Sequence, residues 1–225
     1  MKRVNLILIT TFLLTSCVST NKFSRFVKPK FENLTSETKV ENSNITFDLS
    51  KLETIEDIVK SEKLKSQFIP AILFWQWENN IACQVSPQSV GEMFKSNFIH
   101  FSELLELSDK LGNKRLEIKI EEIPSSFVYA NKGHTIIFII AYTVSQLEAI
   151  YPENQDFTIK YELRENGQVK ISEEIHITNR DIPVRNIWSS TGKFTRNYME
   201  QFENNIKETA KETVDKIMAR LTFID

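Results

Sequence analysis

Phe194, Tyr198, Phe202, Ile206, Ala210, Val214, Ile217 and Leu221 follow one another at intervals of three or four residues. Side chains so spaced fall on one face of a helix, so the end of the chain predicts one amphipathic helix with a single apolar stripe. Its other face carries Glu203, Lys207, Glu208, Lys211, Glu212 and Lys216, partly at the i,i+4 spacing that supports a helix. About 28 residues at 1.5 Å each make roughly 40 Å, long enough to cross a whole sheet. Such a stripe has to be buried, and the rest of the chain must supply the surface that buries it.

That surface is written in a different period. Leu116, Ile118 and Ile120 alternate with Glu117, Lys119 and Glu121, and Phe157, Ile159, Tyr161 and Leu163 alternate with polar residues in the same way. A period of two predicts strands with one wet face. Asn166-Gly167 tolerates the positive φ of a tight hairpin turn, and Val169, Ile171, Ile175 and Ile177 complete that hairpin. Asn131-Lys132-Gly133 reads as a turn, and the nearly all-apolar run from Thr135 to Val144 reads as a strand buried on both faces.

Upstream, Ser50-Lys51-Leu52-Glu53 has a capping-box pattern, and Leu52, Ile55, Ile58 and Val59 keep helical spacing, predicting a first helix to about Ser66. Ala71 to Trp77 reads as a strand that Glu78-Asn79-Asn80 turns into a second one, Ile81 to Val85. Ser86-Pro87 starts a second helix, with the proline where a missing donor costs nothing. Val90, Met93, Phe94, Phe98, Phe101, Leu104 and Leu105 give it a wide apolar face, with a break expected near Ser102 and an end at Leu111-Gly112. The sum is an α+β domain over residues 47–225: a mostly antiparallel β-meander packed against amphipathic helices, closed by the long C-terminal helix.

The first residues are of another kind. Lys2 and Arg3 precede an apolar run from Leu6 to Leu14, interrupted only by Thr10 and Thr11. A bilayer core requires about 20 apolar residues, whereas a secretory leader requires only about 7 to 15 before its small-residue cleavage site. Leu14-Thr15-Ser16-Cys17 resembles the lipobox of bacterial lipoproteins. The resemblance covers the first seventeen residues and implies that residues 1–16 are a signal peptide removed before Cys17. It further implies a diacylglycerol on the Cys17 thiol and a fatty acyl chain on its new amino group, with no other cofactor. Val18, standing where an Asp would favour retention at the inner membrane, implies the outer membrane as the site of anchorage. Residues 17–46 then read as the lipidated cysteine and a flexible tether, about 30 Å end to end. Lys22, Arg25, Lys28 and Lys30 lie in its first half, where an anionic membrane surface would attract them.

Loss of the leader with Lys2 and Arg3 takes the formal net charge from −2 to −4. A nucleic-acid partner is not expected, since no basic stripe or strongly positive domain is present. With Cys17 lipidated, Cys83 is left alone and reads as a small buried hydrophobe. His100, His134 and His176 have no second ligand at metal-binding spacing, and with five glycines in all the chain has no phosphate-cradling loop. Glu121-Glu122 and Glu173-Glu174 are neighbours on strands and point to opposite faces, so neither pair converges on a substrate bond. His176 and Glu174 share a wet face and read as surface. Neither catalytic residues nor metal ligands are expected.

The remaining candidates are aromatic. Trp75 and Trp77 share one strand face, and Phe94, Phe98 and Phe101 share one helix face; they are candidates for a ligand or partner surface, weighed against ordinary core packing. Two functions fit. The first is a membrane-anchored, non-enzymatic envelope lipoprotein serving as an accessory subunit of an envelope complex. The alternative is a lipoprotein that carries a lipid, glycan or peptide between its sheet and helices.

Overall fold

A computed structural model describes residues 18–32, 44–138, 142–153 and 156–222. In chain order they form α1 (Thr20–Val27), α2 (Pro29–Glu32), β1 (Ile45–Asp48), β2 (Val59–Pro70), β3 (Phe74–Val85), α3 (Pro87–Leu104), α4 (Leu107–Leu111), β4 (Arg115–Glu122), β5 (Ser126–Ile137), β6 (Tyr142–Pro152), β7 (Phe157–Glu165), β8 (Gln168–Ile177), β9 (Val184–Asn186) and α5 (Thr191–Leu221). The class is α+β. The strands divide between two sheets rather than forming one meander. A four-stranded sheet has the order β1-β4-β7-β8, with β1 parallel to β4 and the other pairs antiparallel. A five-stranded sheet has the order β2-β3-β5-β6-β9 and is antiparallel throughout.

The stripe on α5 is buried along its whole length, from Phe194 to Leu221. Its 31 residues span about 45 Å and tie the sheets together. Near its start Tyr198 packs on Phe127 of β5 at 5.0 Å between ring centroids, and near its end Arg220 Nε lies 3.1 Å from Glu173 of β8. Alongside it, α3 begins at Ser86, whose hydroxyl accepts from the Ser89 N–H, with Pro87 first in the helix. Phe94 and Phe98 of α3 reach Phe157 of β7 and Phe47 of β1 at 6.0 and 5.4 Å. The helix runs to Leu104, two residues beyond the expected break, and the left-handed Glu106 separates it from α4. The β7–β8 hairpin turns on Asn166 and Gly167, both at positive φ, as their chemistry requires.

Four expectations are overturned. The tether is folded over its first part: Ser19 caps α1, and Phe23 and Val27, one helical turn apart, are fully buried. Phe23 packs on Tyr129 at 4.8 Å, and Phe31 of α2 packs on Phe202 at 6.2 Å. Each such side chain contributes about 2 kcal/mol of burial, more than a solvated linker would gain. Residues 33–43 and Cys17 lie outside the described residues. Second, Ser50 opens no helix; its N–H donates to Asp48 Oδ1 at 2.9 Å, an Asx turn. Leu52 packs against Gly91 of α3, and Val59 to Pro70 is a strand. Third, Glu78-Asn79-Asn80 is no turn but the middle of β3; the asparagines are held by side-chain bonds to Val18 O and Glu78. Fourth, Asn131-Lys132-Gly133 is no turn either. Gly133 lies within β5 because a Cβ there would sit 2.5 Å from the Trp77 ring and 2.4 Å from Ser145 O. The run after it is therefore not one doubly buried strand: it ends β5, the middle strand of its sheet, and begins β6, and Phe138 and Val144 are exposed.

Candidate functional site

The five-stranded sheet is longer than the helices that cover it. At one end of its strands, Ile81, Cys83, Val85, Phe127, Tyr129 and Ile150 face the core. The same face continues past Asn79 and Asn131 to Trp77, Trp75, Phe68 and Val144, placed in register by Phe68↔Trp77, Trp75↔Thr135 and Thr135↔Val144. Among the described residues no helix covers this extension, since α1 reaches only to the level of Asn79. Val18, just before α1, is buried there, and its carbonyl accepts from Asn79 Nδ2 at 3.0 Å.

The projecting end is apolar although it meets solvent. Phe68, Ile69 and Leu73 are exposed, and Ile72 at the β2–β3 turn is 95% exposed. Beside it, Phe138 closes the described part of β5, and Leu73 O accepts from Ile137 N at 2.8 Å. Trp77 lies in the room that Gly133 leaves and donates its indole N–H to Asn131 Oδ1 at 3.2 Å. Exposed apolar residues scattered singly are ordinary, whereas a contiguous set marks an interaction surface.

A second element points to the same end. β9 runs antiparallel to β6 and leaves it at Asn186, opposite Glu148, heading toward the hairpin ends. Ile187 and Trp188 follow, 76% and 95% exposed. Their loop is nonetheless well held: Asn186 donates to Ser189 O at 2.7 Å and accepts from Ser189 N at 2.9 Å. Asn186 Nδ2 also donates to Glu148, whose buried carboxylate accepts from Tyr129 O–H at 2.8 Å and Thr191 O–H at 2.6 Å. Glu148 thus fastens β5, β6, the β9 loop and the start of α5, where the helix dipole favours negative charge. Burial, and then the Glu148 charge, push the Tyr129 phenol well above its ordinary range. The knot is structural, and it fixes Trp188 in the open.

The aromatic residues singled out from the sequence do not form one surface. Trp75 and Trp77 are half-buried at the hairpin end. Phe94 and Phe98 are fully buried, and Phe101 packs half-buried against the core, so these three are interior residues of α3 rather than a ligand surface. The exposed Phe68, Ile69, Ile72, Leu73, Phe138, Ile187 and Trp188 were not anticipated. For the first five the sequence signal was two runs, Phe68 to Trp77 and Thr135 to Val144, too apolar for the ends of solvated hairpins; Ile187 and Trp188 had none.

The polar candidates lie elsewhere. His176 Nε2 is 2.7 Å from Glu174, and its Nδ1 is 3.3 Å from the Thr158 hydroxyl, but the ring is mostly exposed. Lys160 bridges Glu174 and Glu121 at 3.1 and 3.0 Å; its bond lowers the Glu121 pKa, and the same bond raises its own. Burial pushes the Cys83 thiol up to about 12, which leaves almost no thiolate for chemistry. Among the described residues no His, Cys, Asp and Glu side chains gather as metal ligands, and no helix is long and apolar enough to cross a membrane. Two open grooves of about 430 and 320 Å³ lie near Ser86 and Ser125, at the opposite end from the hairpin turns. Comparison with family models, curated proteins and solved structures returns no match.

Proposed function

We propose that this chain is a lipid-anchored, non-enzymatic protein of the bacterial cell envelope, held at the outer membrane through Cys17 and acting by contact as an accessory subunit of an envelope complex. The observation that carries the reading is the concentration of exposed apolar side chains at the uncovered end of the five-stranded sheet, toward which the chain lies open at Val18, the residue after Cys17 in sequence. Folding gains nothing from that exposure, since the same side chains would bury elsewhere at about 25 cal/mol per Å². A surface kept apolar against that gradient is accounted for by contact with something else. The carrier reading is the weaker, because Phe94 and Phe98, which were to line its pocket, are consumed in the core.

The test is native mass spectrometry of the mature protein extracted from its own envelope in mild detergent. The expected spectrum shows acyl mass on Cys17 and a stoichiometric membrane protein in the same assembly. A monomer holding a small molecule that Trp75→Ala releases would replace this reading with the carrier. A monomer with an unmodified Cys17 would remove the anchor altogether.

A further inference from the structure

The geometry points to the bilayer itself as the occupant of the hairpin end: the β2–β3 turn, with Phe138 beside it, sinks into the lipid interface beside the anchor, with Trp75 and Trp77 at the headgroups. The inference deepens the anchored reading and rests on it for the position of Cys17; it assigns the apolar end to the membrane, so that contact with an envelope complex falls to another part of the domain.

Four observations lead there. The end is apolar on both faces of the sheet: Phe68, Trp75 and Val144 lie on the core-side face, whereas Ile69, Phe74, Ile136 and Phe138 belong to the other by strand alternation. A surface made for one protein partner needs one apolar face; a medium that is apolar all round suits two. Next, the β2–β3 turn closes on itself and on β5: Ala71 N donates to Phe74 O at 2.7 Å, and Ile137 N donates to Leu73 O at 2.8 Å. Unpaired amide groups are what lipid excludes.

Third, polarity changes over a short distance. Behind the apolar turns come Gln67, Gln76, Lys65 and Lys132, and Lys65 is held by Glu78 at 2.5 Å. Trp75 and Trp77 stand at that border, and β9 runs toward the same end before the locked loop that exposes Trp188. Tryptophan concentrates at membrane–water boundaries because its ring is apolar and its N–H is not. From Trp75 to the turn at Ile72 and Leu73 the chain rises about 7 Å, within the depth to which interfacial elements sink.

The fourth is the entry of the chain. From Val18 at Asn79, α1 runs away from the hairpin turns: Phe23 reaches Phe127, and the Ser24 hydroxyl lies 2.8 Å from Ser61. The polypeptide therefore enters from the hairpin end, and Cys17 precedes Val18 directly. Lipid on Cys17 and apolar turns on the sheet would meet the same plane.

The experiment uses the mature protein carrying Trp188→Phe, purified from its envelope and reconstituted in phosphatidylcholine vesicles with plain or brominated acyl chains. Trp75 and Trp77 are then the only tryptophan emitters. Brominated lipid is expected to remove most of their emission, which should be blue-shifted. Ile72→Ser with Leu73→Ser should restore the emission while leaving the thermal melt unchanged. Full emission in brominated vesicles would overturn the insertion, and so would protection from both bromine and aqueous iodide, which would signal that a second copy or another protein covers the end. Intact mass reads the anchor separately. An unacylated chain whose tryptophans are still quenched on adding vesicles would sink the anchor and keep the insertion; an acylated chain with unquenched tryptophans would do the reverse.

Discussion

Gly133 shows how one missing side chain places an indole. Its hydrogen faces the Trp77 ring and Ser145 O at distances no Cβ could occupy, so Gly133→Ala must displace either the ring or the β5–β6 ladder. Overpacking of this kind costs about 1–3 kcal/mol, expected as a fall in urea midpoint and a shift in Trp emission. Asp181 argues differently. Burial raises its pKa, opposed by the bond it accepts from Asn205. A raised carboxyl pKa means that the folded chain binds more protons than the unfolded one, so stability falls as pH rises through the window above the unfolded value of about 3.9. Asp181→Asn should remove that slope and leave the protein more stable at neutral pH. Urea titrations of both proteins from about pH 4 to 7 check it, and an unchanged slope in the variant would place the proton elsewhere.

Among the elements, α1 gives the sharpest test, because a tether and a docked helix predict opposite outcomes. Phe23 is fully buried against Phe127 and Tyr129, so Phe23→Ala should cost about 3–5 kcal/mol in thermal or urea unfolding; a flexible tether would leave stability unchanged. The sequence misled here because Phe23 and Val27 mark only two turns before Pro29, too short a run to stand out from polar surroundings. Elements whose reason is local were readable: the α5 stripe, the Ser86-Pro87 start and the Asn166-Gly167 turn each carry their own signal. Elements whose reason is distant were not. Asn79 looks like a turn residue until its bond to Val18 O is seen, and Gly133 looks like one until Trp77 is placed above it. β2 lacks apolar alternation because it is an edge strand whose Lys60, Lys63 and Lys65 protect it from pairing. The same distance principle governs the candidate site: Trp75 and Trp77 were found from composition, but only the register puts Phe68 and Val144 beside them and Phe94 far away in the core.

On the scale of the whole molecule, the consequence is one of height above the membrane. A flexible chain from Cys17 to residue 46 would hold the domain off the headgroups by about 30 Å. With Val18 pinned at Asn79 and α1 folded onto β2 and α5, residues 18–32 provide no such reach. If Cys17 is lipidated as proposed, the residue that follows it is already held in the fold. Neutron reflectometry on a supported bilayer carrying the mature, acylated protein is therefore expected to show a protein layer continuous with the headgroups. A solvent layer about 20–30 Å thick, of the size a random chain would maintain, would mean that α1 comes away from the sheet at the membrane. Inserting a Gly-Ser stretch between Cys17 and Val18 separates the two contributions. If the hairpin ends hold the domain down by themselves, the layer stays against the headgroups despite the insert. If only the short link does so, the layer lifts by the length of the insert. Ile72→Ser with Leu73→Ser on the inserted chain should then release it in either case, because no apolar turn remains to oppose the entropy of the linker.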